Sequence, residues 1–164
     1  MKPFHRNSLL IDTNLLILLL VGSCNPSLIG TNKITANQGF DEEDFNSLRD
    51  FIGRFQKLVT TPHILTEVSN HTEKIKGVDH PQIISQFAQW IETLEEHSES
   101  SKQLAKTEAF ARYGLTDSAV SHLANKNLLV LTIDLQLAGY LHKRGVNVIN
   151  FNHVRHVPQD EWSV

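Results

Sequence analysis

The sequence predicts an α/β fold, a three-layer α/β/α sandwich around a mainly parallel sheet. Two short apolar runs, Ser8–Ile11 and Leu128–Ile133, show no polar alternation, as expected of strands buried on both faces. Segments of helical period separate the strand candidates, which is the pattern of crossover connections and not of hairpins. Both runs lead into an acid, Asp12 and Asp134, at the strand end where open parallel sheets gather their ligand-binding groups.

The elements follow in order. After Ser8–Ile11, the stretch Leu15–Val21 is helix-competent and closes at Gly22. Residues 23–40 carry Asn, Pro, Gly and Thr without periodicity and read as a long loop. Asp41-Glu42-Glu43-Asp44 puts acids at a helix start, where the macrodipole favours them, and Phe45, Leu48, Phe51, Ile52 and Phe55 form that helix's apolar face. Leu58–Thr60 is a second strand. Thr61 caps the next helix, with Pro62 at its first position and Ile64, Leu65, Glu67 and Val68 along it. Pro81 opens a helix whose Ile83, Ile84, Phe87, Trp90, Ile91 and Leu94 recur at helical spacing. The acidic stretch 92–99 reads as a solvated corner, and 102–112 as a helix ending near Gly114. Thr116 is the expected N-cap of a helix containing Asp117, Ala119, Val120 and Leu123. The strand up to Ile133 comes next, then a helix over 135–144 ended by Gly145, a last strand over 146–149, and a tail.

A chain of 164 residues suggests one domain over 1–164, large enough to bury a core without disulfides. Hydrophobic residues at 40% exclude wholesale disorder, and a net charge of −3 excludes a polycationic nucleic-acid coat. One cysteine, Cys24, excludes an intramolecular disulfide and a Cys-rich zinc site, and fits a reducing, cytoplasmic setting. The basic Met1–Arg6, the apolar 9–21 and Val21-Gly22-Ser23-Cys24 resemble a lipoprotein signal. Asp12 and Asn14 interrupt that run, and a carboxylate in mid-membrane costs about 2.5–3.5 kcal/mol, so no membrane partner is expected. P-loop, GxGxxG and GxSxG motifs do not occur, which excludes their chemistries.

Asp12 and Asp134 at neighbouring strand ends would repel, driving one of them neutral, unless a divalent cation lies between them. Hard oxygen donors favour Mg²⁺ or Mn²⁺ over zinc. Glu67, inside a helix, and Asp117, in the first turn of another, are two further candidates. Taken singly, Asp117 also reads as dipole complementation, Glu67 as a solvent-facing helix acid, and Asp12-Thr13-Asn14 as a local turn device.

The ordered set resembles the PIN-domain family. Leu10-Ile11-Asp12-Thr13-Asn14 is similar to its opening motif, Glu67 to its helix acid, Asp117 within Gly114-Leu115-Thr116-Asp117 to its later acid, and Thr132-Ile133-Asp134 to its Thr-x-Asp strand end. The run Leu137-Ala138-Gly139-Tyr140-Leu141 adds to a likeness over roughly residues 7–151. It implies a metal-dependent endoribonuclease using Mg²⁺ or Mn²⁺. Asp12, Asp117 and Asp134 would be ligands, direct or through water, and Glu67 would bind metal or position a metal-bound water. The side chains of Thr13, Asn14 and Thr132 are able to hydrogen-bond those acids. The partners this reading brings are an RNA substrate, an antitoxin protein in the toxin branch of the family, and a second copy of the chain in a homodimer. Two departures stand out. Many relatives have a further acid where this chain has Ile133, and the segment between Asp12 and Glu67 is longer than in compact toxins.

Lys143-Arg144 with His142, plus Lys126 and Arg155, suggest a phosphate-facing rim, and His153 with His156 would share a face in a helix. Two other classes compete with the nuclease. One is a non-catalytic PIN-like RNA- or protein-binding module. The other is a phosphotransfer domain, either dehalogenase-like, where Asn14 stands in place of the second early acid, or receiver-like, where an early acid pair and a phospho-accepting Asp at a third strand end have no counterpart.

Overall fold

The computed structural model describes residues 8–124 and 128–162. Five strands form one all-parallel sheet: β1 (Ser8–Ile11), β2 (Lys57–Thr60), β3 (Glu95–Glu96), β4 (Leu129–Thr132) and β5 (Val148–Asn150), in the order β3-β2-β1-β4-β5. The helices are α1 (Thr13–Cys24), α2 (Lys33–Ala36), α3 (Glu42–Ile52), α4 (Pro62–Thr72), α5 (His80–Ile91), α6 (Ser101–Leu104), α7 (Glu108–Ala124), α8 (Leu135–Lys143) and α9 (Phe151–Val154). They flank the sheet in the α/β/α arrangement expected.

The two central strands are the apolar runs, and every residue from Leu9 to Ile11 and from Leu129 to Thr132 is buried. Their register pairs Leu9 with Leu129, Leu10 with Val130 and Ile11 with Leu131, so Asp12 emerges beside Thr132. From β1 the chain builds outward through β2 to β3, then returns to the other side of β1 for β4 and β5. The connections after β1 and β4 therefore diverge, which opens a crevice at the carboxyl ends of these two strands.

Helix α1 is apolar nearly all round and lies in the core, packed by α3, α4 and α5. It is held close by Gly22, where a Cβ would come within 2.3 Å of the Phe45 ring. No helix among the described residues is long and apolar enough to cross a membrane.

Several elements depart from the sequence expectations. The loop expected over 23–40 contains a 3₁₀ turn, Pro26–Leu28, and α2, capped by Asn25 and Asn32 and anchored by buried Ile29, Thr35 and Phe40. The acidic corner carries strand β3, paired in register with Val59 and Thr60 and tied by Glu95 to Lys57 at 2.8 Å. The helix expected over 102–112 is α6 followed by the start of α7. The helical backbone of α7 is interrupted at Gly114, whose φ of 84° and ψ of −170° only glycine adopts readily, so the first segment ends there as expected and a second helical segment carrying Thr116 and Asp117 follows. Thr116 is thus in the first turn beyond the kink instead of at an N-cap. The expected tail is also ordered: α9 is followed by a 3₁₀ turn, Gln159–Glu161, and Trp162 is buried against Phe51 and Phe151, with Phe151 also against Phe40.

Candidate functional site

Asp12 and Asp134 are each the N-cap of the helix that follows their strand. Asp12 Oδ1 accepts the Leu15 N–H at 3.1 Å, and Asp134 Oδ1 accepts those of Gln136 and Leu137 at 2.7 and 2.9 Å. The adjacent register of β1 and β4 joins the two. Thr132 Oγ1 donates to Asp12 Oδ2 at 2.5 Å and accepts the Asp134 N–H at 2.9 Å, while the Ile133 N–H reaches Asp12 Oδ2 at 2.8 Å.

Glu67 approaches from α4 and is gripped at both oxygens. Thr13 Oγ1 donates to Oε2 at 2.8 Å and Thr116 Oγ1 to Oε1 at 2.6 Å. Asp117 comes from α7, one turn beyond Gly114. Among the described residues no hydrogen bond is made to its carboxylate. These four acids line one pocket of about 360 Å³ together with Thr13, Asn14, Tyr113, Thr116 and Thr132, and no Lys or Arg shares that lining.

The electrostatics follow from this composition. Burial, and after it the charges of Asp134, Glu67 and Asp12, together push the Asp117 carboxyl up to about 7. Asp12 is also raised, chiefly by burial. The hydrogen bonds from Thr132, Leu15 and Ile133 oppose that shift, and the Asp134 charge adds to it.

All seven residues singled out in the sequence face the pocket, though not all in the expected relation. Thr132 serves Asp12 and Thr13 serves Glu67, whereas Asn14 makes no hydrogen bond to an acid among the described residues. Sequence reasoning missed three contributors: Thr116 as a Glu67 partner, the Ile133 N–H, and Tyr113 in the pocket wall. The Gly114-Leu115-Thr116-Asp117 motif held the signal for Thr116. The Ile133 N–H depends on backbone placement alone, which no side-chain pattern reports.

The expected basic rim is not one surface. Arg155 is turned inward to Asp44 at 2.7 Å, and its guanidinium also donates to the Gly39 carbonyl. His142 and His153 border a separate groove along β5, Arg144 is on a third pocket, and Lys126 falls outside the described residues.

The donor chemistry of the acid pocket fits a hard divalent cation: carboxylate oxygens, with no sulfur and no imidazole in the lining. Among the described residues no three His, Cys, Asp or Glu side chains are grouped closely enough to hold an ion between them. A shared ion therefore requires the carboxylates to draw nearer. Asp117, which no hydrogen bond restrains, is the side chain that moves at least cost.

No protein-family model matches the chain, and no curated protein matches it.

Proposed function

We propose that this chain is a Mg²⁺- or Mn²⁺-dependent endoribonuclease of the PIN type, with Asp12, Glu67, Asp117 and Asp134 as its acidic centre. The observation that carries the reading is the convergence of four acids, from four separate elements, on one pocket whose lining contains no basic side chain. A fold does not keep such a set for stability, because like charges in a partly buried site oppose folding.

When bound, the metal supplies a water of lowered pKa and offsets charge on the phosphate oxygens. Asp12 would hold the ion in a fixed direction, since three hydrogen bonds set its carboxylate. Asp117 and the free oxygen of Asp134 would complete the donor set. Glu67 would orient the attacking water. The Thr13 and Thr116 hydroxyls support that role because they fix both Glu67 oxygens without neutralising them.

The test is cleavage of mixed tRNA, rRNA and single-stranded DNA in Mg²⁺ and in Mn²⁺, run beside Asp12→Asn. The parent should cut RNA. Asp12→Asn should lose more than about 100-fold in rate, beyond what the loss of an outer hydrogen-bond partner costs, while staying folded at a somewhat lower melting temperature, since its amide nitrogen cannot accept the Ile133 N–H. Parent protein that binds RNA and leaves it intact in every metal would instead make the chain a non-catalytic binding module.

A further inference from the structure

A second polar pocket, of about 390 Å³, opens between α7 and α8. It is on the other side of the helical stretch that carries Asp117, since the next residue, Ser118, is in its lining. Arg144, at the end of α8, is exposed, yet its guanidinium is positioned. Nη1 donates to Ser121 Oγ at 2.8 Å and to the Tyr140 hydroxyl at 3.2 Å, and the guanidinium carbon is 5.4 Å from the Tyr140 ring centroid. His122 also lines this pocket.

The two pockets are joined by aromatic rings. Tyr113 lines the acid pocket and Tyr140 lines the second one, with ring centroids 5.3 Å apart. From the acids outward the order is therefore carboxylates, Tyr113, Tyr140, Arg144. Glu108, which also lines this pocket, pairs with Arg112 at 3.1 Å, and Glu99 is 3.5 Å from His122.

We propose that the α7–α8 pocket is a phosphate subsite for single-stranded RNA, with Tyr113 and Tyr140 as the stacking wall between it and the acid pocket. The choice of RNA rests on the nuclease reading, whereas the phosphate site itself does not. A planar guanidinium backed by hydroxyls matches phosphate oxygens. Aromatic faces next to a cation are the means by which single strands are held without regard to sequence. Arg144 also caps α8, where a cation complements the helix dipole. That structural role would not respond to RNA, so RNA affinity separates the two.

The experiment measures binding of a labelled single-stranded RNA oligonucleotide in Ca²⁺ and its cleavage in Mn²⁺. Arg144→Gln should weaken binding and make the dependence of log affinity on log salt shallower by about 0.7, the share of one phosphate contact. Cleavage at sub-saturating RNA should fall by the same factor. Tyr113→Ser should weaken binding about 5- to 150-fold, with Tyr113→Phe restoring it. Titrating the parent with inorganic phosphate should move the amide signals of Ser121, His122 and Arg144, a readout that needs no variant to fold. Parental affinity and salt slope in Arg144→Gln would overturn the subsite even if the protein cuts RNA. Arg144-dependent RNA binding by a protein that cuts nothing would support the subsite and reject the nuclease. Phosphate-induced signals confined to residues elsewhere would also overturn it.

Discussion

Asp44 and Asp117 are both carboxylates in the first turn of a helical segment, and both are drawn into the protein, yet their surroundings diverge. Asp44 is fully buried in α3. Its Oδ2 completes a capping box by accepting the Asp41 N–H at 3.0 Å, and Arg155 reaches the same oxygen from the C-terminal segment at 2.7 Å. Burial pushes the Asp44 carboxyl up, and that N–H and the Arg155 guanidinium pull it back. Asp117 has no hydrogen bond among the described residues, and its nearest charges are three more carboxylates, which add to the effect of burial. Where an acid serves the fold, the chain carries a cation to it from more than 100 residues away. Where acids face the pocket, no Lys or Arg lines it. The contrast separates structural charge from charge held ready for a ligand.

The largest effect is expected at the Asp44–Arg155 pair. Arg155→Met leaves Asp44 buried and uncompensated and should cost about 3–5 kcal/mol in urea unfolding. The same change made in an Asp44→Asn background should cost clearly less. Equal losses in both backgrounds would show that Arg155 acts through its packing on Phe40 and not through the ion pair.

The pocket end is tested by metal. Mg²⁺ or Mn²⁺ at 100 times its dissociation constant should stabilise the parent by about 2.7 kcal/mol, because the ion binds the folded acids and not the unfolded chain. The gain should vanish in the Asp117→Asn, Asp134→Asn double variant. An undiminished gain there would move the binding site elsewhere, with His153 and His156 the first groups to test.

The smallest effect is a pH slope in metal-free buffer with chelator. A folded-state value of about 7 against an ordinary 3.8 means the folded protein holds a proton on Asp117 that the unfolded chain has released. The stabilising contribution is then fully present below about pH 4 and is lost as pH rises through about 7. Asp117→Asn should flatten that decline and make the protein more stable than the parent at pH 7.5. The raised Asp12 and Asp44 carboxyls contribute slopes of the same sign, so some decline should remain in the variant. Parallel curves for parent and variant would show that Asp117 ionises normally.

Much of the fold is readable in the chain because its core strands are apolar on both faces and its helices are punctuated. Leu9–Ile11, Leu129–Leu131, Thr61-Pro62 and Gly145 carry local signals strong enough to place their elements. Glu95–Glu96 carries none, because an edge strand of two acidic residues is defined only by its partner β2. Trp162 and Phe151 looked like a tail, since their burial depends on a surface that Phe51 and Phe40 create from a distant segment.

The candidate site divides in the same way. Sequence alone determined which residues could hold charge at strand ends and helix starts: Asp12, Glu67, Asp117 and Asp134. These choices are local, an acid that ends an apolar run or stands early in a helix. Only the tertiary structure decided that the four share one pocket, that Thr132 bridges Asp12 and Asp134, and that Thr13 and Thr116 clamp Glu67. It also decided that Arg155 leaves the basic rim for Asp44 while Arg144 is set beside Tyr140. The physical reason is range. Capping, propensity and periodicity act within a few residues and leave their mark on the sequence. Hydrogen bonds and charge interactions between elements depend on the register of β1 against β4 and on where α4 and α7 dock, and these are set by the packing of the whole core.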